Sequence, residues 1–136
     1  SPEYEEWRRV FEKNKINKET VLVGHSAGSA FIIKWLSEKK KKVNKVFLVA
    51  PCIIKCGKNK ELSDLKDFNY DSSLKDYFKN LVVLYSDNDD EDIIKSAKKI
   101  HSKLGGELVC IKGKGHFTTL DMGTNKFPEL LKYILN

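Results

Sequence analysis

The string Gly24-His25-Ser26-Ala27-Gly28 sets a serine between two glycines, directly after the apolar run Val21-Leu22-Val23 and directly before a stretch with helical character. Such a strand, turn and helix push a serine hydroxyl out at the carboxyl end of a sheet, where it can attack. Ser26 is therefore the candidate nucleophile. A serine on so sharp a turn sits in a strained backbone conformation, and Gly24 and Gly28 are both expected to avoid clashes around it. The N–H of Ala27, at a helix N-terminus, faces charge developing beside that hydroxyl and is the candidate oxyanion donor. The plainer alternative is a serine that only caps a helix.

A serine hydroxyl is a weak nucleophile until a base takes its proton, and the base needs an acid to orient it. The chain has three histidines. His25 lies inside the turn, where packing on the buried side is its expected role, and His101 lies on a helix beside an apolar stripe. His116 sits in Gly113-Lys114-Gly115-His116-Phe117, a loop after the last strand, from which a histidine reaches over the end of a sheet. It is the candidate base. The acid is expected after the third strand, in Ser86-Asp87-Asn88-Asp89-Asp90-Glu91-Asp92. Asp90, Glu91 and Asp92 precede or open a helix, where carboxylates cap free N–H groups and favour the dipole. Asp87 and Asp89 remain, and position alone does not separate them.

The elements that must hold these residues follow from periodicity. Glu3 to Lys13 reads as a helix with Trp7, Val10 and Phe11 on one side. Val21 to Val23 reads as a strand buried on both faces, and about Ser26 to Lys39 as a helix whose small first residues let it lie close to a sheet. Lys45 to Ala50 is the next strand, stopped by Pro51. Cys52 to Asp71 is polar and irregular, an excursion at one end of the sheet, with a short helix expected near Leu74 to Phe78. Leu81 to Tyr85 is the third strand. Ile93, Ile94, Ala97, Ile100 and Leu104 then keep a helical period that Gly105-Gly106 ends. Glu107 to Ile111 is the fourth strand, and Phe127, Leu130, Leu131, Ile134 and Leu135 mark a last helix. This alternation implies parallel strands joined by helical crossovers: an α/β domain with a doubly wound parallel sheet and helices on both faces.

Composition bounds the rest. At 136 residues the chain holds one domain, residues 1–136, and its 40% hydrophobic and 32% charged content is that of a soluble protein. No apolar run is long enough to span a membrane, and the acidic opening Ser1-Pro2-Glu3-Tyr4-Glu5-Glu6 does not read as a secretory signal. A cytoplasmic location is expected. The odd set Cys52, Cys56 and Cys110 argues for free, mostly buried thiols rather than a disulfide framework, and no companion ligands make Cys52 and Cys56 a metal site. The net charge of +6 is concentrated in Lys39-Lys40-Lys41-Lys42 and Lys45 near a helix end. No aromatic residues interleave with it, so nucleic acid is not an expected partner.

Val21 to Gly28, Leu48-Val49-Ala50-Pro51, Ser86-x-Asn88-Asp89 and Gly115-His116-Phe117 together resemble the small α/β-hydrolase family of serine hydrolases typified by retinoblastoma-binding protein nine. The helix around Trp7 resembles the segment before their elbow, so the likeness runs along nearly the whole chain. The order Ser26, then Asp87 or Asp89, then His116 is also the α/β-hydrolase order. Carried over by position, the resemblance puts the acid on Asp89 rather than Asp87. It implies a Ser26, Asp89 and His116 triad acting on a small-molecule acyl or ester substrate, with no cofactor and no metal. Members of that family begin with a further strand, a His-Gly type loop, a helix and a second strand, none of which precedes Ser1. The resemblance thus implies an N-terminally incomplete fragment whose second oxyanion donor lies in the missing loop. A non-catalytic protein-interaction module on the same fold is the rival reading, against which the intact set of three residues speaks.

Overall fold

The computed structural model describes residues 2–53, 69–123 and 126–135. Ten elements follow in order among them: α1 (Pro2–Phe11), β1 (Val21–His25), α2 (Ala27–Lys39), β2 (Val43–Val49), a 3-10 helix (Ser72–Tyr77), β3 (Phe78–Ser86), α3 (Glu91–Leu104), β4 (Glu107–Ile111), α4 (Thr119–Met122) and α5 (Pro128–Leu135). The four strands form one sheet in the order β1-β2-β3-β4, and every neighbouring pair is parallel. His25 pairs with Val49, Val49 with Leu84, and Ser86 with Ile111. The chain therefore leaves all four strands at the same end of the sheet.

Side-chain alternation along the central strands builds a core on each face. Val46, Leu48, Leu81 and Val83 join α2 and α3 in one cluster. Phe47, Val49, Val82 and Leu84 form the other, against which Phe127, Leu130 and Ile134 pack from the last helical segment. β2 is the strand most fully covered, with Phe47 and Leu48 at 1% and 0% exposure. Burying each such side chain contributes roughly 1.5–3 kcal/mol. α2 has no polar stripe because it is covered on two sides, by the sheet and by α1, whose Phe11 ring stands 5.1 Å from Phe31 and 5.0 Å from Trp35. The lysines that follow, Lys40 to Lys42, are exposed beyond the helix end, as the sequence implied.

Four expectations need correcting. β1 is buried on one face only: it is an edge strand, and Val21 and Val23 remain 37% and 47% exposed. In α1, Tyr4 rather than Val10 is the buried residue, at 3% against 64% exposure. Its burial, together with a hydrogen bond to Glu38, pushes its phenol above the ordinary range. Cys52 is disulfide-bonded rather than a free thiol, and Cys110, free as expected, is exposed rather than buried. Asp90 stands at the N-cap of α3 but makes no side-chain capping bond; Glu91 and Asp92 do lie in the first turn. The excursion expected over Cys52 to Asp71 falls mostly outside the described residues.

Candidate active site

Ser26 occupies the junction of β1 and α2 with φ 56° and ψ −120°. A non-glycine residue held in this region costs on the order of 1–3 kcal/mol and persists only where its surroundings impose it. Here they do so from three sides. The Ser26 N–H donates to Val49 O at 3.0 Å, and the Ser26 carbonyl accepts from Ser29 N at 3.0 Å and Cys52 N at 3.2 Å. The buried Ser29 hydroxyl closes the turn on Gly24 O at 3.1 Å.

Only one of the flanking glycines answers to the expected steric demand. A Cβ at Gly24 would stand 2.8 Å from Ile32 Cδ1 and 2.9 Å from Gly28 O and Ser29 Cα, while one at Gly28 would meet nothing within 4 Å. The role expected of Gly28 is therefore not found. Gly24→Ala is expected to lower stability by about 1–3 kcal/mol through overpacking. Gly28→Ala should leave stability unchanged or raise it by up to about 1 kcal/mol, since alanine favours a helix. Urea midpoints of the two variants at unchanged slope measure the difference; equal losses would contradict it.

The three residues singled out in the sequence meet above this turn. Ser26 Oγ lies 2.9 Å from His116 Nε2, and His116 Nδ1 lies 2.9 Å from Asp89 Oδ2. Asp89, whose side chain is only 3% exposed, can only accept, so Nδ1 carries the proton and Nε2 is left to accept from the Ser26 hydroxyl. Its other oxygen accepts from Asp90 N–H at 2.6 Å, which fixes the carboxylate plane. Ala27 is the first residue of α2, and a first-turn N–H has no acceptor within its own helix. Of the other candidates, His101 lies on α3 and takes no part. Asp87 turns instead to the backbone of the histidine loop.

That loop is gripped by four consecutive residues. Asp87 Oδ1 accepts from Gly113 N–H at 2.9 Å, Ser86 Oγ from Lys114 N–H at 2.9 Å, and Asn88 Oδ1 from Gly115 N–H at 2.8 Å, while Asp89 takes the His116 ring. On its far side the His116 N–H donates to Asp121 Oδ2 at 2.8 Å. Gly115 is required where it stands: its φ is +55°, and a Cβ would lie 2.7 Å from the Asp121 carboxyl carbon. Ser86, Asn88 and Asp121 had no assigned role in the sequence reading. A signal for Asp121 existed in Thr118-x-x-Asp121, a helix-start pattern, and Thr118 does cap α4 by accepting from Asp121 N–H at 3.1 Å. His25, expected on the buried side of the turn, is exposed, and its ring reaches the His116 carbonyl at 2.6 Å.

Among the described residues no cluster of three or more His, Cys, Asp or Glu could hold a metal ion, and no helix is long and apolar enough to cross a membrane.

A parallel sheet with helices on both faces and a strand, serine turn and helix at its carboxyl end defines an α/β hydrolase fold. The sequence matches the serine hydrolase family over residues 1–136, and the chain belongs to that family. Solved structures agree on the fold. The product of the ydeN gene of Bacillus subtilis superposes with a TM-score of 0.80 at 20% identity, over 88% of this chain and 66% of that one. A predicted CIB-like hydrolase from Thermoplasma acidophilum gives 0.59 at 20% identity, over 97% of this chain and 56% of that one. Carboxylesterase CesB from Bacillus subtilis gives 0.56 at 12% identity, over 97% of this chain and 64% of that one. The chain thus spans just under two thirds of the first of these structures and little more than half of the second. No curated protein matches the sequence.

Proposed function

We propose that the protein is a serine hydrolase that cleaves esters or other small acyl substrates through an acyl-enzyme, with Ser26, His116 and Asp89 as its catalytic triad. The observation that carries the reading is the unbroken line Ser26 Oγ, His116 Nε2, His116 Nδ1, Asp89 Oδ2, with both gaps at 2.9 Å. Those are distances over which a proton moves without rearrangement.

In the first half-reaction the Ser26 oxygen bonds to the carbonyl carbon as its proton passes to His116 Nε2. The carbonyl oxygen becomes an oxyanion facing the Ala27 N–H. Asp89 holds the imidazole in the accepting tautomer and stabilises the imidazolium that forms. Collapse of the tetrahedral adduct breaks the bond to the leaving alcohol, which takes the proton from His116. In the second half, water gives a proton to His116 and attacks the acyl ester. The acid departs and the Ser26 hydroxyl is restored.

A fluorophosphonate probe tests the assignment without a known substrate, because it phosphonylates only an activated serine. The protein is expected to label, and Ser26→Ala not to. Equal labelling of the two, or labelling of neither, would overturn the catalytic reading in favour of the interaction module.

A further inference from the structure

The peptide that joins His116 to Phe117 is held at both of its polar ends. Its carbonyl accepts from His25 Nε2 at 2.6 Å, and its N–H donates to Lys114 O at 2.9 Å. A carbonyl can only accept, so His25 carries its proton on Nε2. The two rings stand 5.0 Å apart at 42°, so the residue before the serine reaches across to the backbone of the residue that takes its proton.

This peptide plane is under strain. Phe117 has φ 58°, a left-handed conformation that is unfavourable for a residue with a side chain. Rotating the plane would let Phe117 return to negative φ, and the same rotation changes ψ of His116. Phe117 itself cannot follow freely, since it is 7% exposed and stacks on Phe127 with centroids 5.2 Å apart. The strain therefore falls on the plane between a buried ring and the histidine that must stay aligned. Asp121 fixes the peptide before His116, and Asp89 and Ser26 its ring. The carbonyl side is fixed by His25.

We infer that His25 is a positioning residue: its imidazole N–H, bonded to the His116 carbonyl, holds the strained His116–Phe117 peptide and so keeps the His116 ring in line between Ser26 and Asp89. The inference rests on the triad proposed above. It gives the elbow two tasks, since adjacent residues present the hydroxyl and steady its base.

Three variants test it. His25→Phe keeps a ring and loses the donor, whereas the terminal amide of His25→Gln sets an N–H close to where Nε2 stands; Ser26→Ala is the control. Misplacing a catalytic group by about 1 Å can cost up to about 10²-fold. His25→Phe is expected to lower kcat for an activated ester such as p-nitrophenyl acetate by about 10- to 100-fold with KM within about twofold, and His25→Gln to recover most of the loss. A readout that needs no turnover is the His116 Nδ1–H proton resonance, protected by Asp89. It is expected in the unaltered protein and in His25→Gln, and lost or broadened in His25→Phe. An unchanged kcat and resonance in His25→Phe would overturn the inference, as would an equal loss in His25→Gln. Turnover that persists in Ser26→Ala would sink the hydrolase reading instead, and the resonance alone would then decide the role of His25.

Discussion

Replacing His116 by alanine is expected to cut kcat for an activated ester by about 10⁵- to 10⁶-fold, and the double variant with Ser26→Ala to be no worse than either alone. The reason is the absence of a substitute. The Ser26 hydroxyl has His116 Nε2 at 2.9 Å, and the nearby His25 carries its proton on Nε2 and spends it on the His116 carbonyl. With the imidazole gone, attack must proceed from an unactivated hydroxyl, and removing the hydroxyl as well takes away nothing that was still working. Steady-state kinetics of the two single variants and the double variant make the check. Losses that multiply would mean that the two residues act separately and that the proposed proton path is wrong. Folding should be untouched, because His116 stands in a surface loop and is only partly buried.

The two aspartates of the same loop should differ by orders of magnitude. Asp89→Asn is expected to lower kcat by about 10⁴-fold, because an amide can donate to Nδ1 and turn the imidazole over to the tautomer with its proton on Nε2. That nitrogen would then face Ser26 as a donor and could take nothing from it. In Asp87→Asn the amide oxygen can still accept from the Gly113 N–H that Asp87 now holds at 2.9 Å. Its kcat should stay within about tenfold, the cost of weakening one hydrogen bond to a charged group. Kinetics and chemical-shift titration of His116 in both variants would report the difference. A larger loss for Asp87→Asn would move the acid's role to that residue.

Much of the frame could be read from residue patterns. β4 has the bounds read for it, Glu107 to Ile111, and α3 buries Ile93, Ala97, Ile100 and Leu104, four of the five positions its period marked. That the strands run parallel followed from the alternation of elements; their order in the sheet comes from the structure. Ser26 and His116 were singled out by hydroxyl and imidazole chemistry and by place in the chain, whereas residue type left Asp87 beside Asp89 and only the family resemblance chose between them. The grips were not. Ser86, Asn88, Asp121 and His25 act on backbone N–H and C=O groups, and every residue offers those, so nothing in the text marks which one is used. His25 was misplaced for a further reason: the inside of the serine turn was taken as its buried side. β1 is an edge, and alternation puts His25 on the same open side as Val21 and Val23. Gly28 misled in the opposite way, since a glycine in a motif need not be there for space.

The run of bonds from residues 86–89 to residues 113–116 has a consequence for how such a protein can vary. Surface loops ordinarily absorb insertions at little cost, since each doubling of loop length adds only about 0.6 kcal/mol. These two loops are only partly exposed, and four neighbouring side chains address four neighbouring residues. One extra residue in either loop would slide every later pairing by a place, and no single compensating substitution would restore them. Innovation at this end of the sheet is thereby channelled elsewhere: the spacing from Ser86 to Asp89 and from Gly113 to His116 is a ruler whose length is fixed.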